Sequence, residues 1–153
     1  MAFGAPSLKG RALRLLSQRE HSRAELERKL AKHEEEPGTL AKALDELAAK
    51  DFISEPRVVA SVLNQRAARS GALRVRQELQ AKGIAPEAIA EAVASLQDTE
   101  VERATALWRR RFDAPPADAK ERAKQMRFLM ARGFSGAVVS KVLRSDFDEA
   151  ADE

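Results

Sequence analysis

Leucine, alanine and valine recur at three- and four-residue spacing along most of the chain, a pattern that predicts amphipathic helices. Leu8, Ala12, Leu15 and Leu16 form the first stripe. Ser22, with Glu25 three residues on, completes a capping box that opens a second helix carrying Leu26 and Leu30. "KHEEEPGT" breaks the pattern, and Thr39 is placed to cap a third helix with Leu40, Ala43, Leu44 and Leu47 inside. Phe52 and Ile53 are expected to fold back onto that core.

A second triplet follows. Pro56 suits a first helical turn, where its missing N–H costs nothing, and Val59, Val62, Leu63 and Ala67 extend a helix towards Ser70. After Gly71 comes a helix through Leu73, Val75 and Leu79, for which Gly83 is a left-handed cap. Pro86 then starts a helix with Ile89, Val93 and Leu96. The third triplet is predicted to begin at Asp98 as cap, with Val101, Ala104, Leu107 and Trp108 on its first helix. "DAPPAD" is a turn, Ala119, Ala123, Met126 and Met130 line the next helix, and Ser135 caps the last, which carries Val138, Val139, Val142 and Leu143.

One phrase is written twice. "LQAKGIAPEAIAEAV" (79–93) and "LMARGFSGAVVSKVL" (129–143) pair Leu79 with Leu129, Gly83 with Gly133, Ile84 with Phe134, Ile89 with Val139 and Val93 with Leu143. The first triplet matches more loosely, through Leu30 and Leu44, because "EEEPG" lengthens its loop. An all-α architecture follows, with three tandem three-helix repeats over residues 8–53, 54–97 and 98–145 and an acidic tail at 146–153. Each unit buries part of its surface on the next. The expected molecule is elongated and curved, with a concave side suited to an extended partner, and its tail is frayed.

Composition narrows the chemistry. With one Trp, six Phe and no Tyr, the core must be mainly aliphatic. The absence of cysteine excludes disulfides and thiolate chemistry. No long apolar run opens the chain, so neither a signal peptide nor a membrane span is expected, and a cytoplasmic protein is the reading. The last eight residues hold five of the 24 acidic groups and none of the 27 basic ones, which leaves residues 1–145 at net +8. A basic body suits a polyanionic partner or an acidic protein groove.

No catalytic constellation stands out, so no enzyme activity and no cofactor are expected. His21 and His33, twelve residues apart and without cysteine, have no metal-ligand spacing and are assigned surface or capping roles. The glycines are isolated rather than gathered in a phosphate loop. The basic residues say more. The second unit carries Arg57, Arg66, Arg69, Arg74, Arg76 and Lys82, with Arg66 and Arg69 on one predicted helix face. The third carries "WRRRF" (Arg109, Arg110, Arg111) and then Lys120, Lys124, Arg127 and Arg132. Lys120, Lys124 and Arg127 share a helical stripe. Such cations are the candidate binding residues for phosphate or an acidic protein surface. Trp108 is read as a core anchor, with base stacking as the alternative.

In order and spacing, "RALRLLSQREHSRAELERKL", "FISEPRVVASVLNQRAARSGALRVRQELQAKGI" and "LWRRRF" followed by "KQMRFLMARGFSGAVVSKVL" resemble the RecX regulatory proteins of bacteria over residues 8–145. Where that family often has an acidic pair and an aromatic, this chain reads Ser54-Glu55-Pro56 and Val58, and Pro56 is expected to fix the helix start. The resemblance implies a helical-repeat regulator that lies in the groove of the RecA–DNA filament and inhibits ATP hydrolysis, strand exchange and coprotease action in DNA repair and the SOS response. It implies RecA as partner, with single- or double-stranded DNA as a further one, and a monomer. The alternative from the residues is a stand-alone DNA-binding helical module, since paired helices joined by "GFS" or "GIAP" turns suit helix-turn-helix geometry.

Overall fold

The computed structural model describes residues 5–151, with side-chain surroundings through Arg144. Among the described residues the chain forms α1 (Leu8–Gln18), α2 (Arg23–Leu30), a 3-10 turn (Ala31–His33), α3 (Thr39–Ala49), α4 (Glu55–Arg66), α5 (Ala72–Ala81), α6 (Pro86–Gln97), α7 (Glu100–Arg111), α8 (Ala119–Ala131) and α9 (Gly136–Ala151), with no strand. Each triplet of helices encloses its own cluster. Ala12, Leu26, Leu30, Leu40, Leu44 and Leu47 build the first. Val58, Val62, Val75, Leu79, Ile89 and Val93 are in the second, and Leu107, Trp108, Leu129, Phe134, Val139 and Leu143 in the third. The fold is thus an all-α array of three small cores. A unit of this size buries too little apolar surface to be stable alone, so contacts between units matter.

Both copies of the repeated phrase fold alike. The four apolar pairs are buried, and Gly83 and Gly133 adopt φ of 71° and 93°, the left-handed caps their helices need. Several helix ends differ from the sequence reading. Gly38, not Thr39, is the N-cap of α3, and the Thr39 hydroxyl instead donates to the Glu36 carbonyl at 2.7 Å. Asp98 closes α6, and α7 starts after Thr99 without a side-chain cap. α4 is capped by Ser54, whose hydroxyl accepts from the Arg57 N–H with Pro56 in the first turn, and it stops at Arg66, well short of Ser70. α9 continues to Ala151, so residues 146–151 prolong a helix rather than forming a frayed tail, while Asp152 and Glu153 lie outside the described residues.

Some apolar residues assigned to the core face outwards. Phe52, Leu73 and Met130 are each about half exposed, while Ile53 does pack on the first cluster. On α8 the inward positions are Gln125 and Leu129, with Met126 and Phe128 partly covered and Ala119 exposed.

Candidate interaction surface and unit junctions

The repeated glycine turn is where one unit receives the previous one. Between the second and third units, the start of α5 meets the α8–α9 turn. The Gly71 N–H donates to the Arg132 carbonyl at 2.8 Å and the Leu73 N–H to the Gly133 carbonyl at 3.1 Å. Arg74 Nη1 donates to the Ala131 carbonyl at 2.7 Å. A Cβ on Gly71 would stand 2.4 Å from the Gly133 oxygen, and one on Gly133 would stand 2.5 Å from Arg74 Cβ, so both glycines are required by close approach. Between the first and second units, α2 meets the α5–α6 turn in the same way. Arg28 Nη2 donates to the Ala81 carbonyl at 2.8 Å, Lys82 Nζ to Glu25 Oε1 at 3.1 Å, and Gly83 lies where a Cβ would strike Ala24 Cβ at 2.7 Å. The first unit receives no described segment at the matching place. Its corresponding connection, after the 3-10 turn, is the lengthened Glu34–Gly38 loop, with Gly38 open to solvent at φ 89°.

The junctions recruit charged groups that the sequence reading passed over. Glu25, 8% exposed at its side chain, accepts from Arg19 at 2.6 Å, from Lys82 and, through Oε1 at 3.1 Å, from the Ser22 N–H. Burial alone would raise its pKa; the bonds from Arg19, Ser22 and Lys82 outweigh burial and bring it down to about 2. His21, expected at the surface, is buried. Its Nδ1 lies 3.0 Å from the Arg19 carbonyl, which can only accept, and its Nε2 lies 3.0 Å from the Lys29 ammonium, which can only donate. The ring is therefore held neutral with its proton on Nδ1. Desolvation first, then the charges of Arg19 and Lys29, lower its pKa against the opposing pull of the Arg19 carbonyl and Glu25. At the other junction Glu100 Oε1 accepts from the Ala72 N–H at 2.9 Å. Arg103 donates to the carbonyls of Ala67, Ser70 and Leu96 at 2.8, 2.9 and 3.1 Å. Glu25, Glu100 and Arg103 act on partners remote in the sequence, and the burial of His21 depends on tertiary closure, which is why local spacing did not reveal them; the one signal was Glu25 at the third position of the capping box.

The thirteen candidate cations divide by surroundings. Four are tied to the protein. Arg57 pairs with Glu20 at 2.9 Å and Asp51 at 3.0 Å, Arg66 with Glu78 at 2.7 Å, Lys82 with Glu25, and Arg74 with the Ala131 carbonyl. Two lie over aromatic rings: Arg111 over Phe112 and Arg132 over Phe128, at 5.5 and 5.3 Å from the ring centroids. Those rings are themselves in edge-to-face contact at 5.4 Å. Arg69, Arg76, Arg110, Lys120, Lys124 and Arg127 are exposed or nearly so and make no ion pair with another described residue. Arg109 lies beside Arg110 in the last turn of α7. Arg69 sits in the turn after α4, so it does not share a helix face with Arg66; Lys120, Lys124 and Arg127 do share α8. Trp108 is 4% exposed and donates Nε1–H to Gln125 Oε1 at 2.8 Å, which makes it a core anchor and removes the base-stacking alternative. Among the described residues no group of three or more His, Asp and Glu can hold a metal ion, and no helix is long and apolar enough to cross a membrane.

Comparison with known proteins gives a consistent result. The family profiles for the first, second and third three-helix domains of RecX match residues 9–47, 54–93 and 98–143. The regulatory protein RecX of Leptothrix cholodnii is 57% identical over 146 residues, covering 94% of this chain and 93% of that protein. That of Ralstonia nicotianae is 51% identical over 138 residues, covering 90% and 87%. Among solved structures, the crystal structure of RecX from Lactobacillus salivarius superposes with a TM-score of 0.77 at 20% identity, over 90% of this chain and 93% of that one. These relatives are named as regulatory proteins rather than enzymes.

Proposed function

The chain belongs to the RecX family of regulatory proteins, and from that premise we propose that it binds the RecA–DNA filament in the cytoplasm and inhibits ATP hydrolysis, strand exchange and coprotease action, restraining recombination and the SOS response. The mechanism is steric and electrostatic, without covalent chemistry. A curved row of units follows the filament groove as a monomer, bridges neighbouring recombinase subunits, restrains their motion and blocks entry of a second DNA duplex. The proposed units are residues 8–53, 54–97 and 98–145.

The observation that carries this reading, beyond family membership, is the division of the cations. Arg57 and Lys82 are engaged in holding the first unit on the second, and Arg74 in holding the second on the third. Arg69, Arg76 and Arg110, with the α8 stripe of Lys120, Lys124 and Arg127, remain available for an acidic protein surface or phosphate. Many weak contacts spread over several units give an affinity that falls steeply with salt.

The test is a titration of the protein into RecA assembled on single-stranded DNA, following ATP hydrolysis and strand exchange. Inhibition at stoichiometric protein is expected, weakened about tenfold or more by Lys120→Glu/Lys124→Glu/Arg127→Glu, since each lost charge contact in a polyvalent interface is worth a few tenths to about 1 kcal/mol and reversal adds repulsion. Saturating protein without effect on either activity would reject the proposal. Affinity for bare duplex equal to that for the filament would favour a stand-alone DNA-binding module instead.

A further inference from the structure

A cleft in the second unit has an acidic rim, against the basic character of the chain. It opens between α4 and α6 with a volume of about 300 Å³. Val59 and Leu63 line its α4 side and Ala88, Ala92 and Ser95 its α6 side. Glu55 stands at one edge and Glu91 at the other, and no Lys, Arg or His lines it. Glu55 Oε2 accepts the Ala85 N–H at 3.3 Å, which holds that carboxylate beside the start of α6. Glu91 is exposed and makes no ion pair with another described residue. The third unit supplies an internal comparison. In the register of the repeated phrase, Ala88 and Ala92 correspond to Val138 and Val142, and Glu91 to Lys141. Val142 is buried and Val138 packs against the third cluster. The same helix therefore carries small side chains and a carboxylate here in the second unit, and larger ones and a cation in the third.

We propose that the α4–α6 cleft is a docking groove for an amphipathic helix of another protein, whose apolar ridge seats on Val59, Leu63, Ala88 and Ala92 and whose flanking lysines or arginines meet Glu55 and Glu91. Charge selects the class of partner. Two carboxylates without a cation repel phosphate and acidic peptides and attract a cationic rim. A second copy of this chain would bring a body of net +8 over residues 1–145, so copies repel one another as wholes. Shape selects the helix. An extended peptide would lay unpaired N–H and C=O groups on a floor of aliphatic carbons, whereas a helix arrives with its own already bonded. Ala88, Ala92 and Ser95 fall at i, i+4 and i+7 on α6, and such short side chains let a neighbouring helix approach closely. Both walls are twelve residues long, which gives about 18 Å, enough for three turns of a partner helix. None of the thirteen candidate cations lines this face, so its occupant is additional to whatever those cations bind.

The test uses the intact chain and a labelled helix-forming peptide of about 16 residues, with leucines at i, i+4 and i+7 and lysines on both sides of that row. Its counterpart has glutamate for every lysine. Fluorescence anisotropy measures affinity, amide chemical shifts locate the contact, and sedimentation velocity follows the protein alone. Two variants are compared with wild type. Glu55→Gln/Glu91→Gln removes the rim charge but keeps an acceptor for the Ala85 N–H, and Ala88→Val/Glu91→Lys installs the residues of the third unit. Circular dichroism melting checks that each keeps its fold. The lysine peptide should bind about tenfold or more tightly than the glutamate peptide, with shifts concentrated along α4 and α6. The Gln pair should weaken it about fivefold, since exposed charge contacts are individually modest. The Val/Lys pair should weaken it further, because it fills the floor as well as reversing a charge. Equal affinity for the two peptides, unchanged affinity in the folded variants, or shifts centred away from α4 and α6 would each overturn the assignment. So would self-association of wild type that Ala88→Val/Glu91→Lys abolishes, which would make a second copy the occupant.

Discussion

Glu25 links three elements through one carboxylate: it closes the capping box of α2, anchors Arg19 from the end of α1, and receives Lys82 from the next unit. Its folded pKa of about 2 lies below the ordinary 4.5, so its stabilisation is complete above pH 4.5 and is lost as pH falls through 2. Discounted for solvent reaching it through the exposed Arg19, that is roughly 1–3 kcal/mol. His21 acts earlier on the same descent. Its folded pKa lies below 6.5, so its contribution is complete above pH 6.5 and is lost as acid forces a proton onto Nε2, evicting Lys29. Urea midpoints measured in a His33→Gln background should therefore decline in two stages, below pH 6.5 and again below 4.5. His21→Gln should remove the first stage and Glu25→Gln the second; curves parallel to the parent would contradict both assignments. Much at this scale was unreadable in the sequence. Whether His21 is buried depends on Lys29 and the turn at Arg19 closing over it, and Gln125 occupies a core position because Trp108 supplies its hydrogen bond. Periodicity ranks residues by polarity, so it placed Leu73 and Met130 inside and overlooked Gln125.

At the scale of the element, the repeated Leu-Gly-apolar phrase was legible because a left-handed cap and two flanking helical stripes are all local requirements. Its purpose was not, because the groups it receives, Gly71 to Arg74 for the second copy, lie about sixty residues away. Two glycines show the difference. Gly71 has an ordinary backbone angle, and only the closeness of the Gly133 carbonyl excludes a side chain, whereas Gly38 has empty space around it and only its φ of 89° favours glycine. Gly71→Ala should cost about 1–3 kcal/mol through forced separation of backbones. Gly38→Ala should cost about 1–2 kcal/mol through local strain. Amide exchange separates the two causes. The Gly71→Ala variant should speed exchange at the Leu73 N–H, which is bonded to Gly133, while Gly38→Ala should leave that amide protected; acceleration in both would show that the junction is not what the glycine serves. The loose first copy fits the same logic: nothing approaches Gly38, so the Glu34–Gly38 loop is free of the close contact that fixes the other two turns.

For the whole molecule, the two junctions are built of different materials. Both have a close glycine contact, but the second and third units are also joined by backbone N–H to carbonyl bonds and by Arg103 gripping three carbonyls. The polar bonds between the first and second come from side chains: Arg57 with Glu20 and Asp51, Lys82 with Glu25, Arg28 with a carbonyl. Long charged side chains yield to salt and to rotation of their own bonds more readily than apposed backbones. The first unit should therefore swing on a stiff pair formed by the other two, which would let a row of units adjust to a helical partner at one joint. The chain has no cysteine, so spin labels can be placed at will on Ala48→Cys, Ala90→Cys and Ala137→Cys, all exposed. In Arg57→Ala/Lys82→Ala, and in wild type at about 1 M salt where the screening length falls to about 3 Å, the 48–90 distance distribution should broaden while the 90–137 distribution keeps its width. Equal broadening of both pairs, or of neither, would mean that the junctions are mechanically alike and that adaptation to a partner arises within the units.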